Sequence, residues 1–161
     1  MSLRKILLEG DPALNKTCRP VEKFDRKLHN LIDDLKETVK KADGVGLAAP
    51  QVGILRRVVV VMDEDENLLE LVNPVILSQS GEQSGYEGCL SVPNLYGDVV
   101  RPDVVTVRAQ DRNGVTFEVT KTDLVARCCC HEIEHLDGHL FTEHVTGRFY
   151  TREELEAMEA V

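Results

Sequence analysis

Residues 131–135 read His131-Glu132-Ile133-Glu134-His135, an H-E-x-x-H pattern that predicts a metal-binding helix around which the rest of the chain is arranged. Residues four apart share one face of a helix, so the two histidines can hold one ion between them. Glu132 flanks that face without being a ligand, which suits a general base acting on water at a metal. Two histidines leave a catalytic metal one protein ligand short, so a third must come from elsewhere in the chain.

The preceding residues extend this motif into a helix that begins near Thr122 and ends before Gly138. Two stripes of residues along this helix start with apolar side chains and continue into the histidines and Glu132. We therefore predict that the histidines continue a buried face. The first stripe contains Leu124, Cys128, His131 and His135, and the second contains Val125, Cys129, Glu132 and Leu136. A more polar stripe, which faces elsewhere, contains Arg127, Cys130, Glu134 and Asp137.

The composition is that of a soluble globular protein. Hydrophobic residues make up 42% of the 161 residues and charged residues 29%, which fits a single domain over residues 1–161. The net charge of -9 argues against a general nucleic-acid binder. No apolar run is long enough to span a membrane, and the N-terminal residues lack a secretory signal. The cysteines are five, with three adjacent, which argues against a disulfide framework and predicts a reducing, cytoplasmic setting.

Hydrophobic periodicity predicts an α+β fold, in which short, mostly antiparallel strands surround the central H-E-x-x-H helix and an N-terminal helix packs outside. That outer helix is predicted over residues 25–42. We predict that Asn73-Pro74 breaks one strand and that residues 75–78 begin another. The other predicted elements are a hairpin of residues 58–62 and 68–72 around an acidic turn, a hairpin of residues 104–109 and 115–120, and a helical turn at 153–158.

Two further segments carry candidate chemistry, each with a plainer alternative. The small-residue tract 44–53 lets the backbone approach a partner closely, and it lacks the Gly-Lys-Ser/Thr of a phosphate loop. Gln51 within it could donate to a carbonyl oxygen or be an ordinary turn residue. Cys89, beside Gly88, is either a reachable thiolate or a small buried hydrophobe.

Three separated motifs stand in order along the chain: Gly44-Val45-Gly46-Leu47-Ala48-Ala49-Pro50-Gln51, Glu87-Gly88-Cys89-Leu90-Ser91 and His131-Glu132-Ile133-Glu134-His135-Leu136. Together they resemble the signature motifs G-x-G-L-A-A-P-Q, E-G-C-L-S and H-E-x-D-H-L of bacterial peptide deformylases. Residues 4–7, 10–12, 101–102, 111 and 114 extend the resemblance over nearly the whole chain. Two departures are Glu134, where the family usually has Asp, and Cys130, where it often has Gln. We expect changed packing around them and no loss of activity.

The resemblance implies a metallohydrolase that removes the N-formyl group from the formyl-methionine terminus of new polypeptides and releases formate. Its metal ligands are then Cys89, His131 and His135, with Glu132 as the general base. Cysteine and histidine donors alone would suggest zinc, whereas the family implies Fe2+, with Zn2+ or Ni2+ able to occupy the site. N-formyl-methionyl nascent polypeptides are the implied partners, with transient ribosome contact in addition and neither a specific nucleic-acid site nor a membrane.

The family pattern also implies roles around the reacting carbonyl. Gln51 and the backbone N–H of Leu90 stabilise the oxyanion, and backbone groups around Gly46 align the substrate as an added strand. The methionine side chain needs an apolar slot beside the metal. Our hypothesis is that the slot is lined by Val45, Leu124 and Cys128, and the alternative is that these three side chains are plain core.

Two rival functions use parts of the same pattern. A zinc endopeptidase also carries H-E-x-x-H, but it gives no reason for Cys89, and a thiolate ligand makes the metal a poorer Lewis acid toward ordinary peptide bonds. A non-enzymatic, metal-stabilised module would close its coordination with four protein ligands, drawn from His139, His144 or the remaining cysteines. Replacing Glu132 with alanine separates an enzyme from such a module, because only the enzyme loses turnover while it keeps its metal.

Overall fold

The computed structural model describes residues 2–159 as two antiparallel sheets and three α-helices. The helices are α1 (Arg26–Lys41), α2 (Asp123–His135) and α3 (Arg152–Glu159). The strands are β1 (Gly46–Ala48), β2 (Val58–Met62), β3 (Leu68–Ser80), β4 (Gln83–Cys89), β5 (Val92–Arg101), β6 (Val104–Gln110), β7 (Thr116–Thr122) and β8 (Thr146–Tyr150). The larger sheet has the strand order β1-β2-β3-β6-β7 and the smaller one β4-β5-β8. The predicted α+β fold is confirmed.

Strand β2 explains why a helix packs on each face of the larger sheet. Its four consecutive valines are fully buried, although side chains alternate between the two faces of a strand. Val59 and Val61 join the core cluster that includes α2, whereas Val58 and Val60 join the cluster that includes α1. The helix with the H-E-x-x-H motif is therefore central, and α1 covers the opposite face, as the sequence predicts.

Helix α1 is held by its cap and by ion pairs to the sheet. The carboxylate of Asp25 accepts a hydrogen bond from the backbone N–H of Leu28 at 3.1 Å, so the helix begins where the sequence predicts. Arg112, in the turn between β6 and β7, donates to Asp33 of α1 and to both carboxylate oxygens of Glu70, each at 2.8 Å. These contacts tie the helix, β3 and the β6–β7 turn together.

Glu70 should make the stability of the protein sensitive to acid. Burial raises the pKa of its carboxyl, but hydrogen bonds from Arg112 and Lys36 more than offset this and hold the pKa below its ordinary value of 4.5. A carboxyl whose pKa falls on folding contributes stability that is present above its unfolded pKa and is lost as the pH falls through its folded pKa. We expect Glu70→Gln to lower the free energy of unfolding by about 1 kcal/mol at neutral pH and by less at about pH 3.5.

Urea unfolding at the two pH values measures this difference. Glu22→Gln removes an exposed carboxylate for which residues 2–159 provide no ion pair, so it is the matched control and should change neither value. Equal losses in the Glu70 variant at both pH values would contradict the assignment.

The predicted strand break at Asn73-Pro74 is wrong. Strand β3 runs through it, and its pairing with β6 shifts register between Val72 and Val75. Asn73 adopts a left-handed conformation with a φ of 51°, and its side chain bonds both backbone groups of Val21. The pairing is irregular at this β-bulge, so Pro74 does not need to donate a backbone hydrogen bond and the strand continues.

The smaller sheet has no counterpart among the predicted strands. Its strand β4 lies in a segment rich in glycine and polar residues, and β8 lies in the tail, where the sequence predicts only the helical turn that falls within α3. Buried residues of this sheet include Glu87 and Arg101, so the apolar alternation that marks a half-buried strand is missing. Among residues 2–159, none of the helices combines the length and the apolar character needed to cross a membrane.

Candidate metal centre

Three side chains from two parts of the chain converge at one point. Cys89 is the last residue of β4, and His131 and His135 lie on α2. One potential ligand atom from each residue lies within 4.8 Å of the others, and Cys89 Sγ is 3.5 Å from His135 Nε2. Both histidines are buried and the cysteine is half-buried. A thiolate with two imidazoles is a donor set that suits a first-row divalent metal.

The end of β4 is shaped so that the thiol reaches α2. The β4–β5 pairing shifts register between Glu87 and Cys89, and Cys89 then pairs with Val92 across a tight turn. Position 88 requires glycine, because a Cβ there would lie 2.4 Å from Cε1 of Tyr96. The Tyr96 ring therefore packs directly against the backbone that precedes the thiol.

The orientation of the His131 ring is fixed by a carboxylate. Its Nδ1 lies 2.9 Å from Oε1 of Glu87, and both side chains are buried. Burial raises the pKa of the Glu87 carboxyl, but hydrogen bonds from Arg101 and His131 more than offset this and lower the pKa to about 2. Because the carboxylate is ionised at neutral pH, we assign the proton to Nδ1, which leaves Nε2 free to bind a metal.

Glu87 is also the centre of a buried ion-pair network. Arg101 donates to both of its oxygens, at 2.8 and 2.9 Å, and Arg127 donates to Oε2 at 2.6 Å. Arg101 also forms a two-point contact with Glu134 at 2.8 and 3.1 Å, and Glu134 contacts His144 Nε2 at 2.9 Å. The polar stripe of α2 thus faces the smaller sheet, and the network connects it to the His131 ring.

Glu132 lies beside the two histidines in a space that a glycine opens. It is buried, its Oε1 is 3.9 Å from His135 Nε2, and this oxygen has no hydrogen-bond partner among residues 2–159. A Cβ at Gly46 would lie 2.7 Å from Glu132 Oε2, so only glycine lets β1 approach the carboxylate this closely. Burial raises the pKa of Glu132 to about 7, against the opposing effect of His131.

Gln51 is held rigidly with its amide nitrogen directed toward Cys89. Its Oε1 accepts from the backbone N–H of Ala48 at 2.9 Å, and its Nε2 donates to Ser91 Oγ at 3.0 Å. The same nitrogen is 3.4 Å from Cys89 Sγ, and the side chain is buried. Gln51 is therefore a fixed donor beside the thiol rather than a surface turn residue.

These groups open onto one cavity of about 350 Å³. Predicted site residues that line it are Val45, Gly46, Gln51, Cys89, Leu90, Leu124, Cys128, His131 and Glu132. His135 is 1% exposed and is not among the lining residues. The structure therefore brings the ten predicted site residues together, nine at the cavity wall and His135 behind it.

Comparison with known proteins relates this site to one family. A model of the polypeptide deformylase family matches residues 3–149. A peptide deformylase from Caldanaerobacter subterraneus subsp. tengcongensis is 50% identical over 161 residues, which cover 100% of both chains. The chain belongs to the peptide deformylase family. Peptide deformylase 1 from Bacillus subtilis is 48% identical over 160 residues and 99% of each chain.

Solved peptide deformylases have the same fold. The structure from Legionella pneumophila matches with a TM-score of 0.85 and 42% identity, covering 98% of this chain and 96% of that one. The structure from Thermotoga maritima matches with a TM-score of 0.87 and 36% identity, covering 90% and 99%. The resemblance to this family, and the prediction that the chain is an enzyme of it, are confirmed.

The prediction that Leu124 belongs to the buried face of α2 is wrong. The stripe that begins at Leu124 was expected to continue a buried face, yet Leu124 is 62% exposed. Val45, across the cavity, is 47% exposed, whereas Cys128 is buried. The reason is that the start of α2 forms the mouth of the cavity, so Leu124 and Val45 present apolar surface there without being core.

Sequence reasoning missed the arginines that pair with Glu87 behind the candidate metal centre. Arg101 and Arg127 are buried by more than nine-tenths of their surface, and both pair with Glu87. Glu87 stands in the E-G-C-L-S motif, but nothing in its sequence spacing connects it to His131, which is 44 positions away. The available signal was the presence of Arg101 and Arg127 beside apolar residues, since buried arginines require carboxylate partners.

Proposed function

We propose that this chain hydrolyses the N-formyl group of formyl-methionyl polypeptides and releases formate. The observation that carries this proposal is the convergence of Cys89, His131 and His135 beside the unpartnered carboxylate oxygen of Glu132, at the wall of one cavity. Membership of the peptide deformylase family supports the same reaction. Nascent polypeptides are then the substrates in a cytoplasmic setting, with transient ribosome contact as a further part of the proposal.

The residues fit a divalent ion. Cys89, His131 and His135 supply one soft and two imidazole donors, and Glu132 Oε1, which lies 3.9 Å from His135 Nε2, is a buried polar atom without a hydrogen-bond partner among residues 2–159. We propose Fe2+, with Zn2+ or Ni2+ able to take the same donors. When bound, such an ion acts as a Lewis acid and lowers the pKa of a water molecule to about 7.

Glu132 is proposed to move the proton. Its free oxygen faces the donor set, so it can accept a proton from the attacking water as the water oxygen bonds to the formyl carbon. The same carboxyl then gives that proton to the amine nitrogen as the carbon–nitrogen bond breaks. The remaining water proton leaves the formic acid and protonates the freed amine, so the products are formate and a polypeptide with an ammonium terminus, and atoms and charge balance.

Fixed donors are proposed to stabilise the negative oxygen that develops during attack. The Nε2 group of Gln51 is held beside Cys89 by its hydrogen bond to Ser91. The second donor is the backbone N–H of Leu90, the residue that follows Cys89. Loss of one such donor typically costs about 3 kcal/mol of transition-state stabilisation. Gly46, on the edge strand β1, offers backbone groups that can pair with an extended substrate.

The methionine side chain is proposed to occupy the apolar part of the cavity lined by Val45, Leu124 and Cys128. Burial raises the pKa of the Cys128 thiol to about 12, so this side chain is neutral and apolar at physiological pH. Cys128→Phe should therefore raise KM for a formyl-Met peptide about tenfold by filling the slot, with metal content unchanged. An unchanged KM in the folded variant would place the slot elsewhere.

A structural site with four protein ligands is less well supported. Within residues 2–159, the group of potential ligands contains Cys89, His131 and His135 alone, and His139 and His144 instead contact Glu143 and Glu134. Three ligands leave a position open, which is typical of catalytic sites.

The test is anaerobic purification with metal analysis, followed by measurement of formate release from a formyl-Met peptide. We expect one equivalent of metal per chain and stoichiometric formation of formate and free amine. A metal-loaded protein that cleaves an unformylated peptide internally and releases no formate would be a peptidase, and the proposal would be wrong.

A further inference from the structure

The cavity has a rim of aromatic and basic character that the proposed chemistry does not use. Its lining includes the exposed Tyr86, Asn94 and Arg152 and the half-buried Tyr96, from β4, β5 and the first residue of α3. Buried residues of the same cavity are Gln51, His131 and Glu132. A peptide whose terminus lies at the donor set and whose next residues extend toward this side of the cavity can contact these side chains.

Arg152 is held in place by neutral groups. Its Nη2 donates to the hydroxyl oxygen of Tyr96 at 2.7 Å, and its backbone N–H donates to Asn94 Oδ1 at 3.1 Å. Its guanidinium carbon lies 5.4 Å from the centre of the Tyr96 ring. Among residues 2–159, no carboxylate forms an ion pair with Arg152, whereas the nearby Arg148 pairs with Glu154.

The position of Arg152 is coupled to the metal centre through Tyr96. The Tyr96 ring packs against the backbone of Gly88, the residue before Cys89, at a distance that excludes any side chain there. The guanidinium therefore sits at a defined place relative to the donor set, although it is exposed. A preorganised cation costs little conformational entropy when it meets a substrate.

We propose that Arg152 recognises a carboxylate of the substrate, such as an acidic side chain that follows the formyl-methionine; this rests on the proposed function. Arg127, the other arginine in the cavity wall, is already neutralised by Glu87. Asp43 lines another part of the rim, so positive charge is confined to the side of Arg152. The whole chain has a net charge of -9 and repels anions, whereas the local positive charge of Arg152 attracts a carboxylate to this side of the cavity.

The expected effect is small and specific. Exposed ion pairs contribute modestly, so a suitably placed glutamate should improve kcat/KM about two- to fivefold over glutamine. The contact is the same before and during the reaction, so the change should appear in KM and not in kcat. Screening should remove most of it at about 0.5 M salt.

The experiment uses formyl-Met peptides with an amidated carboxyl terminus and one glutamate at the second, third or fourth residue. Each is compared with its glutamine counterpart for the wild type and Arg152→Gln. Arg26→Gln is the matched control, because Arg26 is likewise exposed, begins a helix and has no ion pair among residues 2–159. A parallel set with a free carboxyl terminus distinguishes a side-chain carboxylate from a terminal one.

We expect a glutamate or free-terminus advantage that Arg152→Gln abolishes and Arg26→Gln retains. If every peptide is deformylated and no carboxylate gives an advantage, or if the advantage survives in Arg152→Gln, the inference is wrong and the proposed function stands. If no peptide yields formate with metal-loaded enzyme, the proposed function fails and the inference falls with it.

Discussion

Replacing Glu132 with glutamine is expected to lower kcat for a formyl-Met peptide by about 10²- to 10⁴-fold, because an amide cannot take the proton from water. The metal should stay bound, since Glu132 is not among the three donors that converge. Formate release gives kcat, and elemental analysis of the same preparation gives the metal content. A loss of both together would mean that the variant disrupts the site and not the proton transfer.

Glu134→Gln is the control for this variant, because it makes the same chemical change two positions along α2. Glu134 contacts Arg101 and His144 and does not line the cavity. We expect it to reduce stability and to change kcat by less than about tenfold, since it acts on the helix packing. If the two variants lost kcat equally, Glu132 would have no special role.

The second large effect is expected at Glu87. Glu87→Gln removes the charge that neutralises Arg101 and Arg127 and that orients His131. Breaking a buried ion pair leaves uncompensated charge, so the free energy of unfolding should fall by about 3 to 5 kcal/mol. Because Glu87 contacts the proposed ligand His131, its loss should also weaken metal binding by about 10- to 100-fold.

Competition with a chelator, measured on the folded fraction, separates the metal affinity from the stability. The matched control is Glu143→Gln, because Glu143 also contacts a histidine Nδ1, that of His139, at 3.1 Å, but on an exposed surface. It should change neither quantity appreciably. Unchanged metal affinity in Glu87→Gln would show that the carboxylate only stabilises the fold.

The parts of the fold that the sequence predicted are those with a local signal. Helix α1 has an apolar face and a capping Asp25, and the valines of β2 form an uninterrupted buried run. The β6–β7 hairpin has a Gly114 with a φ of 85° at its turn. In each case the physical cause lies within a few residues along the chain, so the pattern alone indicates the element.

The parts that were missed depend on contacts between distant residues. Strand β4 buries Glu87 because Arg101 and Arg127 neutralise its charge, and the local sequence pattern around Glu87 does not identify these partners. The exposure of Leu124 depends on where the cavity opens. The Asn73-Pro74 bulge depends on Val21, 52 positions away. The joining of Cys89 to the histidines was predicted from family motifs, because the spacing of the chain alone does not fix the third ligand.

X-ray absorption spectroscopy on the protein loaded with one equivalent of Zn2+ tests the proposed three-ligand metal centre directly. We expect one sulfur at about 2.3 Å and two imidazole nitrogens at about 2.0 to 2.1 Å, with a further light scatterer from solvent. Cys89→Ala should remove the sulfur signal. A spectrum without sulfur, or with two or more sulfur ligands, would show that Cys89, His131 and His135 do not hold one ion with an open position.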